Sequence, residues 1–141
     1  MINKLTNTLF IQVAEKGLDA AALRQNVIAN NLSNVDTPGF KRSFVTFEEE
    51  LKAALAAGKG PKLRGVMTDE KHLPIGPRSL GLIMPQTHVQ RNTSLRNDGN
   101  NVDIDEESAN LAKNSIMYNA LAQQIAGDFS SLRNVISEGR R

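Results

Sequence analysis

The 141-residue chain has no cysteine and no tryptophan, and its only aromatic side chains are five Phe and one Tyr. The missing thiols exclude disulfides, thiolate metal ligands and a cysteine nucleophile, and leave the redox compartment unconstrained. With so few aromatics, the core has to be aliphatic. No apolar run approaches the roughly 18 residues of a membrane span, so no direct membrane span is expected. The N-terminus also lacks the basic segment, apolar stretch and small-residue cleavage site of a secretory signal. Any passage out of the cytoplasm is expected to proceed without a cleaved signal peptide.

Constellations that do chemistry are equally scarce. His72 and His88 are the only histidines, sixteen residues apart among Pro and Gly, with no companion ligand spacing for zinc. The stretch Asp98 to Glu107 superficially resembles a calcium loop, but Val102 stands at the fifth ligand position and Asp103 where the sixth-position Gly belongs. No Ser or Thr falls in a recognisable nucleophile motif, and no Gly-rich turn opens a helix after a strand. The expectation is a protein that is not an enzyme, with no metal and no cofactor.

Charge is nearly balanced at +2 but unevenly placed. Gly58 to Asn97 holds seven Lys/Arg against Asp69 and Glu70, whereas Asp98 to Arg141 holds four against seven Asp/Glu. Beyond a solvated surface, this suggests charge complementarity between copies or with a partner. Nucleic acid is disfavoured as a partner, because the basic stretch contains no aromatic on which bases could stack.

Hydrophobic spacing organises the two ends. Leu9, Val13, Ala20, Leu23 and Val27 recur at helical intervals, broadened by Phe10, Leu18 and Ile28, and predict a long amphipathic helix over residues 5–32 with Gly17 weakening its centre. Asn30, Asn31, Ser33 and Asn34 then compete for backbone hydrogen bonds, and Asp36-Thr37-Pro38-Gly39 supplies a preset φ and a positive one. Phe40, Phe44 and Phe47 follow as an apolar anchor, and a short helix is expected over 47–57 with Glu48, Glu49 and Glu50 at its positive end and Gly58 as its stop. Residues 58–102 lose all periodicity and read as an irregular, extended segment compatible with short β pieces.

The last segment is the most regular. Asp103 and Glu106 form a capping-box pattern that starts a helix near residue 104. Leu111, Ser115, Tyr118, Ala122, Ile125, Phe129, Leu132 and Ile136 then alternate steps of four and three as a heptad seam ending at Gly139, with Leu121 beside it. A narrow seam on one helix barely offsets the entropy of ordering it, so the two terminal helices are expected to pack as a coiled-coil-like pair, completed by packing between copies. The fold class is mainly α, one structural unit in four parts: residues 1–35 as N-terminal assembly helix, 36–57 as turn and short helix, 58–102 as irregular loop region, and 103–141 as C-terminal assembly helix.

The run Ile28-Ala29-Asn30-Asn31-Leu32-Ser33-Asn34-Val35-Asp36-Thr37-Pro38-Gly39-Phe40-Lys41 resembles the N-terminal signature of the flagellar rod and hook proteins. Within that group, the short length, Phe44 to Leu51, the pair Thr68 and His72, and Asp98 to Asp103 leading into Glu106 resemble the proximal-rod subunits. The resemblance covers both ends well and the middle poorly. It implies terminal helices that order on assembly into a hollow, torque-transmitting axial tube, and export uncleaved through the flagellar type III apparatus to the periplasmic part of the basal body. It also implies contacts with copies of the chain, other rod subunits, and the rod-junction and export-gate proteins. Asn30, Asn31, Asn34, Asp36, Thr37, Pro38, Gly39 and Phe40 would form the assembly motif, with Leu9, Val13, Leu23, Val27, Leu111, Tyr118, Ile125, Phe129, Leu132 and Ile136 as packing positions. The alternatives are another axial subunit such as rod protein C, which shares the signature, and a basic nucleic-acid-binding adaptor.

Overall fold

The computed structural model describes residues 8–57 and 83–138. The element order is α1 (Thr8–Ser33), β1 (Ser43–Thr46), α2 (Glu48–Ala57), β2 (Gln86–Val89) and α3 (Ile104–Glu138). The expected helix start over residues 5–7, the stops at Gly58 and Gly139, and the Thr68 and His72 pair lie outside the described residues.

The two long helices run antiparallel. Asn31 meets Glu107, Ala21 meets Asn114 and Gly17 meets Leu121, so position numbers fall on one helix as they rise on the other. At about 1.5 Å per residue, α3 is about 52 Å long and α1 about 39 Å. This is the mainly α pair of terminal helices expected from the spacing of apolar residues.

The seam sits one residue away from where the large apolar side chains place it. Ala14, Ala21, Ile28 and Asn31 are buried on α1, and Glu107 and Asn114 on α3. Leu121, read from the heptad as lying beside the seam, is inside it against Gly17. Of the expected packing positions, Val13, Leu23, Val27, Leu111, Ile125 and Leu132 are half-buried. Leu9, Tyr118, Phe129 and Ile136 are exposed, Phe129 at 56% and Ile136 at 71%, with Tyr118 bordering a cleft beside Ala21 and Gln25 of α1. The physical reason is close approach: small and polar residues line the contact, and small residues let helix axes draw together where bulky ones would hold them apart.

A second face of α1 is covered as well. Ala20, next to Ala21, packs with Phe47 and Ile83 in the buried apolar cluster, flanked by Leu51 and Ala54 of α2. Burial on two faces explains why the apolar stripe of α1 is broad. Of the three clustered phenylalanines, Phe47 is the anchor, Phe40 is half-buried, and Phe44 is exposed with its ring 5.7 Å from His88.

The β structure was only partly foreseen. β2 falls within the segment read as irregular, whereas its antiparallel partner β1 falls in the segment read as turn and helix, paired Ser43 to Val89 and Thr46 to Gln86. Four-residue strands are too short for alternation to reveal them. Among the described residues no helix is long and apolar enough to cross a membrane.

Candidate functional site: a polar clasp at the helix junction

The signature residues and the segment entering α3 form one hydrogen-bonded structure. Helix α1 ends because its own polar side chains take its carbonyls. Ser33 Oγ donates to Ala29 O at 2.8 Å and Asn34 Nδ2 donates to Asn30 O at 2.8 Å. The chain then turns through bonds from Asn34 N to Asn31 O, Thr37 N to Asn34 O and Phe40 N to Thr37 O. Gly39 closes the turn at φ 71°, a region costly for residues with a β-carbon. Its N–H donates to Asp98 O at 2.9 Å, and Gly99, at φ 82°, lies against it.

Asn100 holds this turn from the other side. Fully buried, it donates through Nδ2 to Asn34 O, Val35 O and Thr37 O at 3.1, 2.9 and 2.9 Å, while its Oδ1 accepts from Val102 N. Asn101 Oδ1 accepts from Arg42 N at 2.6 Å, and its Nδ2 donates to Gln90 O and Thr93 Oγ1, which ties the turn to the end of β2. Lys41 Nζ donates to Thr93 O and Gly99 O. Asp36, exposed, pairs with Arg96 at 3.1 Å. Thr37, Pro38 and Asn30 are exposed, Thr37 Oγ1 donating weakly to Asn34 Oδ1 at 3.3 Å.

The centre of the clasp is Asn31, 0% exposed. Its Oδ1 accepts from Ser43 N at 3.0 Å and its Nδ2 donates to Ser43 O at 2.8 Å, so the side-chain amide substitutes for a neighbouring strand on the outer edge of β1. Nδ2 also donates to Glu107 Oε2 at 2.9 Å. Glu107, 1% exposed, receives Arg42 Nε on Oε1 at 2.7 Å, and Arg42 spans to Glu106 at 2.8 Å. A buried carboxylate is tolerable only when a cation and further donors replace its lost water, and Arg42 and Asn31 do this together. Asp103 caps α3, its Oδ1 accepting from Asp105 N and Glu106 N, while the expected reciprocal partner Glu106 is engaged by Arg42.

Arg42, Asn100, Asn101 and Glu107 were not singled out as individual site residues. No spacing signal marked Glu107, because Glu107 and Asn114 lie off the apolar seam that the sequence shows and only the fold buries them. Beside the clasp, Arg24 donates to Glu48 Oε1 at 2.6 Å across α1 and α2. Partial burial raises the Glu48 carboxyl, but the hydrogen bond from Arg24, nearby backbone donors and the guanidinium charge outweigh it and hold the group below its ordinary value.

The arrangement is a junction between the two long helices and the turn. It hydrogen-bonds the exit of α1 to the entry of α3, and the helix pair extends from it with Phe129 and Ile136 exposed. Residues 11–41 match the family model described as flagella basal body rod protein. Relatives named flagellar basal body rod protein FlgB include that of Borrelia hermsii, 41% identical over 89% of this chain and 94% of the relative. That of Bacillus subtilis is 34% identical over 92% and 95%, and that of Escherichia coli is 31% identical over 99% of both. With matches of this identity spanning 89 to 99% of the chain, the chain belongs to the flagellar basal body rod protein FlgB family.

Proposed function

We propose that this protein is a structural subunit of the proximal rod of the bacterial flagellar basal body, assembling through its terminal helices into a hollow axial tube that transmits torque, without catalysing a reaction. The observation that carries this reading is the clasp. It ties the end of α1 to the start of α3 through the buried bond from Asn31 to Glu107, braced by Arg42 on Glu107 and by Asn100 on the turn, while Phe129 and Ile136 of the same pair stay exposed. A subunit that transmits torque needs firm internal joints and outer faces that bind neighbours, and the clasp and the exposed apolar side chains support those two roles. Its partners are copies of itself, other rod subunits, and the rod-junction and export-gate proteins, and it reaches the periplasmic rod through the flagellar type III apparatus.

The test is fractionation of basal bodies from motile cells whose only copy carries an epitope inserted after Pro74. The tag is expected in the detergent-resistant rod fraction. Recovery solely from the soluble fraction overturns the reading.

A further inference from the structure

We propose that the step from Asp98 to Gly99 is a site of spontaneous isoaspartate formation, open to reaction in the unfolded chain and shut by the clasp, and that a chain so modified no longer closes the clasp. The proposal goes beyond the rod-subunit reading and does not rest on it. Gly99 is the only glycine in the sequence that follows an aspartate, and no glycine follows an asparagine. Lacking a β-carbon, glycine leaves its amide nitrogen unshielded and its backbone free to turn. In an unfolded chain that nitrogen can attack the protonated Asp98 carboxyl. The N–Cγ bond forms, a carboxyl C–O bond breaks, and the hydroxyl leaves with the amide proton as water. Water then adds to the Asp98 main-chain carbonyl of the resulting five-membered imide and breaks the bond from that carbon to nitrogen. The water lost is regained, nothing is oxidised or reduced, and the backbone now runs through the former side chain.

The folded chain holds both reacting groups in other bonds. Gly99 N–H donates to Arg96 O at 3.1 Å, and Asp98 Oδ1 accepts from Asn100 N at 3.0 Å. Asp98 Oδ2 lies 3.5 Å from Arg96 Nε. The Asp98 main-chain oxygen accepts from Gly39 N at 2.9 Å, and Gly99 rests against Gly39 at φ 82°. Forming the imide turns the Asp98 carboxyl and the Gly99 nitrogen out of these bonds, so the reaction has to wait for local opening.

The product is incompatible with the clasp. Isoaspartate at position 98 lengthens the main chain by one carbon, about 1.5 Å, just before Asn100. Asn100 Nδ2 meets Asn34 O, Val35 O and Thr37 O at 3.1, 2.9 and 2.9 Å while its Oδ1 holds Val102 N, and a displacement of one bond length breaks that set. Closing the clasp therefore preserves the residue that builds it, whereas a chain kept open loses the means to close.

The test incubates the full-length chain in heavy-oxygen water at neutral pH and physiological temperature, in buffer and in guanidinium chloride. Peptide mapping then measures heavy oxygen and isoaspartate at position 98. Conversion is expected to be at least tenfold faster in denaturant, and Gly99→Ala should slow it at least tenfold there, where folding plays no part. Asn100→Ala should speed conversion at least fivefold in buffer and leave the denatured rate unchanged. The isoaspartyl chain, separated and returned to buffer, should exchange its Gly39 amide hydrogen at least tenfold faster than the unmodified chain. Absence of isoaspartate at position 98 in denaturant overturns the site. Equal rates in buffer and denaturant, or no effect of Asn100→Ala in buffer, overturn the protection. Unchanged Gly39 exchange in the isoaspartyl chain overturns the loss of closure.

Discussion

Gly17 of α1 faces Leu121 of α3 so closely that a β-carbon at Gly17 would stand 3.0 Å from Leu121 Cδ1. A glycine in mid-helix costs about 1 kcal/mol relative to alanine, and here that cost is offset by the close approach of the helices. Gly17→Ala is expected to change stability by less than about 1 kcal/mol, since the helix gain offsets a small shift of a flexible side-chain end. Gly17→Leu should destabilise by about 1 to 3 kcal/mol through overpacking. Urea denaturation followed by circular dichroism separates the two, and equal effects would contradict the contact.

The displaced seam has its own consequence. Leu121 and Ile125 are both half-buried on α3, and Leu121 meets Gly17 directly. Leu121→Asp should destabilise the isolated chain at least as much as Ile125→Asp, each by about 2 to 5 kcal/mol. Ile136→Asp should change it by less than about 0.5 kcal/mol, because Ile136 is exposed. Thermal melts of the three variants give the order directly.

Asn31 is the most informative clasp residue. Asn31→Ala removes donors from Ser43 O and Glu107 and should cost about 2 to 4 kcal/mol. Asn31→Asp keeps the size but places a second buried carboxylate against Glu107, and is expected to be the more damaging of the two at pH 7. The reverse order in denaturant titrations would mean that water enters the clasp.

Arg42 and Glu107 should behave as one unit. Arg42→Met leaves Glu107 buried without its cation and is expected to cost about 3 to 5 kcal/mol. The double variant Arg42→Met with Glu107→Leu should cost less than the sum of the single losses, by more than about 1 kcal/mol. Additive losses in a double-mutant cycle would show that the pair is not coupled.

Glu48 gives a weak acid dependence of known sign. Its carboxyl is held low in the folded chain, so the stability it contributes is complete above its ordinary unfolded value and is lost as pH falls through the depressed folded value. Its side chain is 59% exposed, so the contribution is small and screened by salt. Glu48→Gln should flatten the acid limb of the stability profile slightly at low ionic strength and leave it unchanged at 1 M salt.

Much of this architecture was legible because it is local. Apolar spacing marked both long helices, Asp103 marked the start of α3, and the Asn-rich run with Pro38 and Gly39 marked the end of α1, each within about a residue of its observed place. These signals act over one or two helical turns, where backbone geometry alone sets the spacing of side chains. The signature also carried the family, since Asn30 to Lys41 combines residue types that ordinary composition does not.

What the linear chain does not encode is which residues meet across distance. The helix seam is made of Ala14, Gly17, Ala21 and Asn114, whose weak hydrophobicity hides them from any apolar pattern, while the large side chains Phe129 and Ile136 that dominate the pattern point away. Glu107 reads as one acid among several at a helix start, until α1 brings Asn31 and the turn brings Arg42 to it. Whether a polar group is solvated or buried in a clasp depends on partners 65 and 76 positions away. Packing decides that, because the cost of burying a charge is met only by donors the folded chain delivers.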